Sequence, residues 1–141
     1  MTDDDRTPVI IDSSARPEPG YVLELGEAFA EIPRALNHLT RHHEALEFPA
    51  EGDHLIRELD SAAGRLPQLL DQIASWYEQE AAEGKLEVHD GERNVAMSVV
   101  AIRMRADAAR VSAEQLQADL ASLAQVTATL AAPDTGEGDD G

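Results

Sequence analysis

Histidine is the only side chain whose type and spacing suggest chemistry in this 141-residue sequence. His38, His42 and His43 cluster together, and His38 and His42 stand at i, i+4, on one face of a helix. Two imidazoles at that spacing can share a zinc or nickel ion. A complete site needs a third and a fourth ligand; Glu31 and Glu44 are loosely placed for that role, and Arg34 and Arg41 oppose a cation. The competing reading is a locally basic stripe of Arg34, His38, Arg41 and His42 that pairs with Glu27, Glu31 and Glu44. His43 falls on an apolar stripe between Leu39 and Leu46, so it is expected to be half-buried, where protonation would disturb packing.

Other reagents are missing. With no cysteine there is no disulfide, thiolate metal site or thiol nucleophile. Serine, threonine and acidic residues are scattered without nucleophile–base spacing. No glycine-rich loop precedes a helix to cradle phosphate, and no basic recognition helix is present. The chain therefore reads as a non-enzyme without a cofactor.

Charge narrows the partners. The formal net charge is −17, of which residues 1–20 and 133–141 carry −7 (nine acidic, two basic) and the middle −10 (nineteen acidic, nine basic). Such an excess disfavours nucleic acid and anionic membrane as partners and favours a basic protein surface. DNA mimicry fits the sign, although dense rows of carboxylates are absent. The opening Met1-Thr2-Asp3-Asp4-Asp5 is not a secretory signal, and no apolar run approaches the ~20 residues that span a bilayer. A cytoplasmic location is the resulting expectation.

The elements that would position these residues are announced by three apolar stripes stepping by threes and fours. The first is Val22, Leu25, Phe29, Ile32, Leu36, Leu39, Leu46. The second is Leu55, Leu59, Ala62, Leu66, Leu69, Ile73, Trp76. The third runs Val95, Val99, Ile102, Ala106, Ala109, Ala113, Leu116, Leu120, Leu123, Leu130. This spacing predicts three helices that pack along narrow seams. Helix 1 is expected over 21–47, stopped by Phe48-Pro49. Helix 2 is expected from an Asp53 cap to a C′ glycine at Gly84. Helix 3 is expected from an Asp90 cap, with Glu92 favouring its dipole, to about Ala132. Residues 85–91 read as a loop. Residues 1–20 and 133–141 are too polar and too punctuated to bury a core and read as disordered or loosely docked tails. The fold class that follows is all-α: an antiparallel three-helix bundle over 21–132.

Pro33 and Pro67 sit in matching contexts, Ile32-Pro33-Arg34-Ala35-Leu36 and Leu66-Pro67-Gln68-Leu69-Leu70. Two copies are too few for a solenoid. The prolines lie equally far from Ala50, the midpoint expected for the interhelical turn, so they predict matched bends in a hairpin of helices 1 and 2; two unrelated helix breaks are the alternative.

Helix 3 offers the candidate contact surface. A second apolar row, Met97, Val100, Met104, Ala108 and Val111, widens its apolar arc, bordered by Arg103, Arg105 and Arg110. Either this row meets a second neighbour within the bundle, or it is an exposed patch for dimerisation or a partner helix. The alanines Ala106, Ala109 and Ala113 similarly reflect either an alanine-rich composition or a site where a second copy or a partner helix comes close. Trp76 is expected in the core, and Tyr77 beside it on a recognition surface.

The stretches Leu39-Thr40-Arg41-His42-His43-Glu44-Ala45-Leu46 and Arg65-Leu66-Pro67-Gln68-Leu69-Leu70-Asp71-Gln72-Ile73 resemble small helical proteins of actinobacterial plasmids and integrative elements. The resemblance covers about 60 residues and implies no activity or functional residue. The functional expectation is a helical interaction protein, self-associating as a homodimer or docking a protein partner through helix 3. Metal binding at His38 and His42, or sequestration of a basic protein, are the alternatives.

Overall fold

The computed structural model describes residues 10–89 and 94–133, and these form an all-α protein. Helix α1 spans Pro19–Leu39, a short 3₁₀ turn covers His43–Ala45, and helices α2 and α3 span Pro49–Ala82 and Val95–Thr127. No strand occurs among the described residues. The chain divides into two compact units, residues 1–47 and 48–141. Residues 1–9 and 134–141 of the expected tails, and the Asp90-Gly91 turn with Glu92, lie outside the described residues, whereas 10–20 of the expected N-terminal tail are described and Pro19 and Gly20 belong to α1.

In the first unit, α1 opens with Pro19 in its first turn, where a missing N–H costs nothing. It continues through Pro33 and ends eight residues before the predicted limit. There the Thr40 amide and hydroxyl both donate to the Leu36 carbonyl, at 2.9 and 2.7 Å. Thr40, His42 and His43 are poor helix formers, and with no glycine at this end the turn closes through local bonds instead. Ahead of α1, the Tyr21 hydroxyl accepts the Asp12 N–H and donates to the Ile10 carbonyl, both at 2.7 Å. Asp12 in turn accepts the Ser14 N–H and hydroxyl, so Ile10–Ser14 is tied to the start of the helix. No residue of α1 is buried, and Phe29, Ile32 and Leu39 of its stripe are exposed.

Phe48-Pro49 begins α2 rather than ending α1. Phe48 is extended, as a residue before proline must be, and Pro49 is the first helical residue. The Glu51 carboxylate accepts the Phe48 N–H at 3.1 Å and the Glu51 N–H donates to the Phe48 carbonyl at 3.0 Å, which makes Phe48 the cap, five residues ahead of the expected Asp53. Ala50 is therefore helical. The connection between α1 and α2 centres near Glu44, much closer to Pro33 than to Pro67, so the equal-height reading of the prolines fails. The far end of α2 follows expectation. Gly84 takes φ +71° and donates to the Ala81 carbonyl, while Lys85 reaches back to Glu80, the paired bonds of a Schellman stop. Helix α3 is capped by Asn94, whose side-chain oxygen accepts the Met97 N–H at 2.9 Å.

Helices α2 and α3 pack antiparallel. Asp53 near the start of α2 meets Thr127 at the end of α3, and Glu78 near the end of α2 meets Arg103 near the start of α3. The residues buried between them are all alanines: Ala63 and Ala74 on α2 and Ala113 and Ala124 on α3. Small side chains let helix axes approach closely. The leucine stripe read from the sequence of α2 is not this seam; it is turned to one side, leaving Leu59, Leu69 and Ile73 exposed. Trp76 is 53% exposed and is thus not core, although it stacks edge-on against Tyr77 with ring centroids 4.9 Å apart. The period of the pattern was read correctly and its direction was not, because alanine seam positions carry too little hydrophobicity to compete with leucine.

Candidate interaction surface

Helix geometry places the five residues of the second apolar row in one stripe. At about 100° per residue, Met97, Val100, Met104, Ala108 and Val111 lie close to opposite the seam residues Ala106, Ala113 and Ala124. Burial agrees: Met97, Val100, Met104 and Val111 are between 54% and 67% exposed, and Ala108 is exposed as well. Ala96, Met97, Val100, Ala101 and Met104 line a shallow, open depression along this face. The row is bare within the unit formed by α2 and α3. In the alanine-rich centre, Ala113 is buried against α2 of the same chain, whereas Ala109 is exposed.

The arginines predicted to border this row divide their work. Arg103 turns back across the seam: its Nε donates to Glu78 at 2.6 Å, Nη1 to Asp71 at 2.8 Å and Nη2 to the Ser75 hydroxyl at 3.0 Å. Glu78 above all, and then Asp71, hold the Arg103 guanidinium more firmly protonated than usual. Arg110 donates to Asp107 at 3.3 Å and approaches Asp71 at 3.7 Å. Its Nε, like Asp60 Oδ1, is enclosed without a protein partner. These groups form a polar flank that clasps α2 to α3, and they do not serve the outer row. Arg105 alone of the three has no ion pair among the described residues.

The opposite flank of the pair is apolar. Leu59, Leu66 and Ile73 of α2 and Leu116 and Leu123 of α3 point to the same side by helical position, and of these only Leu66 is partly covered. This flank was missed as a surface because its residues were read as seam. Tyr77 is on α2, which packs on the other face of α3, so the structure does not bring it to the Met97–Val111 row.

The early end of α1 divides the histidines between the helix and the segment beyond it. His38 is in the helix and His42 beyond it, yet their rings remain neighbours at 6.0 Å, edge to face. Among the described residues, no three His, Cys, Asp or Glu side chains gather to hold a metal. His43 begins the 3₁₀ turn and is exposed, not half-buried, because the helix that would have carried it onto the stripe has already stopped. Arg34 pairs with Glu31 at 3.5 Å, as the basic-stripe reading expects for that residue.

No described helix is long and apolar enough to cross a membrane. No protein-family model, curated protein or solved structure matches the chain.

Proposed function

We propose that this protein is a non-enzymatic helical interaction protein whose contact surface is the outer apolar row of α3. The exposure of Met97, Val100, Met104 and Val111 on the side of α3 away from α2 carries the reading. A continuous exposed apolar row is the usual mark of a contact surface, and unbranched methionines adapt to the shape of what they meet. The net charge of −17 supports a protein as the counterpart in preference to nucleic acid or an anionic membrane.

A Met104→Asp substitution places a charge in the middle of the row without touching the seam. Association should weaken at least tenfold, measured by sedimentation or by titration against a captured partner, with the helical circular dichroism signal unchanged. A wild-type chain that neither self-associates nor retains any protein from its host extract refutes the reading.

A further inference from the structure

The partner's chemistry can be argued from the pattern of the row itself. Beside Val100 of the row lies Ala101, which lines the same depression, and Met97, Ala101, Met104, Ala108 and Val111 follow one another by four, three, four and three, so large and small side chains alternate along a heptad seam on this face. A second antiparallel copy of the same row puts each methionine over an alanine: Met97 over Ala108 of the second copy, and Met104 over its Ala101. Packing large against small is what a close antiparallel contact requires, and α2 and α3 already make an alanine-lined antiparallel contact within one chain. The match is with itself, which is the condition for a two-fold interface.

Electrostatics favour the same face. Two chains of charge −17 repel, and they can meet only where the acid is thin. Residues 95–115 hold Arg103, Arg105 and Arg110 against Asp107 and Glu114, a net charge of +1. Asp107 is moreover paired with Arg110. We infer that the outer row of α3 pairs with a second copy of this chain, antiparallel, about a two-fold axis level with Ile102 and Arg103. This inference rests on the interaction reading of the same row and names its occupant. The row is short, so the contact buries on the order of 1,000 Å² in total, at the weak end of specific interfaces.

The absence of native cysteine makes the test direct. In the full chain, Ala101→Cys places the two thiols about three residues apart along the axis, ~4.5 Å, whereas Val111→Cys places them about seventeen apart, ~25 Å. Mild oxidation should link the Ala101→Cys chain into dimers and leave Val111→Cys unlinked, while the wild type shows a concentration-dependent monomer–dimer equilibrium that Met104→Asp shifts at least tenfold towards monomer. Equal crosslinking of both cysteine variants overturns the antiparallel arrangement. A wild type that stays monomeric up to millimolar concentration overturns self-pairing altogether. If Met104→Asp then still abolishes binding to a captured protein, the interaction reading stands and only the second copy is wrong.

Discussion

The Thr127 hydroxyl donates to Asp53 Oδ1 at 2.6 Å, joining the last residue of α3 to the second turn of α2 across 74 residues of sequence. With Arg57 on the other oxygen at 2.9 Å, the carboxylate is held from both sides. The Thr127 hydroxyl foremost, then Arg57, lowers the Asp53 pKa below its ordinary 3.8. At the other end of the pair, Arg103 plays the matching part with Glu78 and Asp71. Together the two ends fix how far α2 and α3 slide along each other.

A pKa lower in the folded state gives Asp53 a stabilising contribution that is complete above its unfolded value and is lost as pH falls through the folded one. Unfolding midpoints of wild type and Asp53→Asn, compared from pH 6 down to pH 2, should therefore differ most at pH 6 and converge below about pH 4. A constant difference across that range contradicts this role for the carboxylate.

Gly64 sits inside α2 beneath Gln117, whose amide nitrogen would be 2.5 Å from a Cβ built on the glycine. The obstruction is the free end of a flexible side chain, so it can move aside. Gly64→Ala should then gain most of the ~1 kcal/mol that separates glycine from alanine in a helix. Urea unfolding at a fixed m-value reads the gain, and a loss of stability would show that the Gln117 amide cannot relocate.

Ala74 is fully buried in the seam, with 0% exposure. Ala74→Leu adds three carbons where no surface is left open and should cost about 1–3 kcal/mol. The same change at exposed Ala109 should cost less than about 0.5 kcal/mol. Equal costs at the two sites would mean that the alanine seam is not close-packed.

Gly84 closes α2 with φ +71°. Gly84→Ala forces a Cβ into the left-handed region and should lose about 1 kcal/mol, whereas Gly26→Ala, inside α1 with open space around it, should be neutral or stabilising. Thermal unfolding of the two variants separates the effects.

Much of this architecture is legible in the sequence. Three helices, the stop at Gly84 and the existence of a second apolar row on α3 all follow from residue spacing and turn chemistry, whereas the side that row faces does not. The errors have physical causes. Helix α1 ends at Leu39 through Thr40 bonding back to Leu36, a local event that no glycine or proline advertises. The cap of α3 belongs to Asn94, one of several polar residues that could have served. The α2–α3 seam was misplaced because leucine dominates a periodicity count, whereas the closest helix contact selects the smallest side chain. The polar clasp at Arg103 joins residues 32 apart and could be found only once α2 and α3 were aligned.

The alanine seam has one more consequence, and it concerns entropy. Alanine has no rotamers to freeze, so closing the methyl-lined contact loses almost no side-chain freedom, in contrast with a leucine zipper. The same simplicity makes the contact indifferent to register. Ala63 and Ala74 lie about three turns apart, as do Ala113 and Ala124, so the buried methyls recur at one spacing on both helices and mark no single register. The register is set by the pins at the two ends, since sliding strands Asp53 from Thr127 and Arg103 from Glu78 together. In this pair of helices, methyl groups supply adhesion and charged groups supply the address.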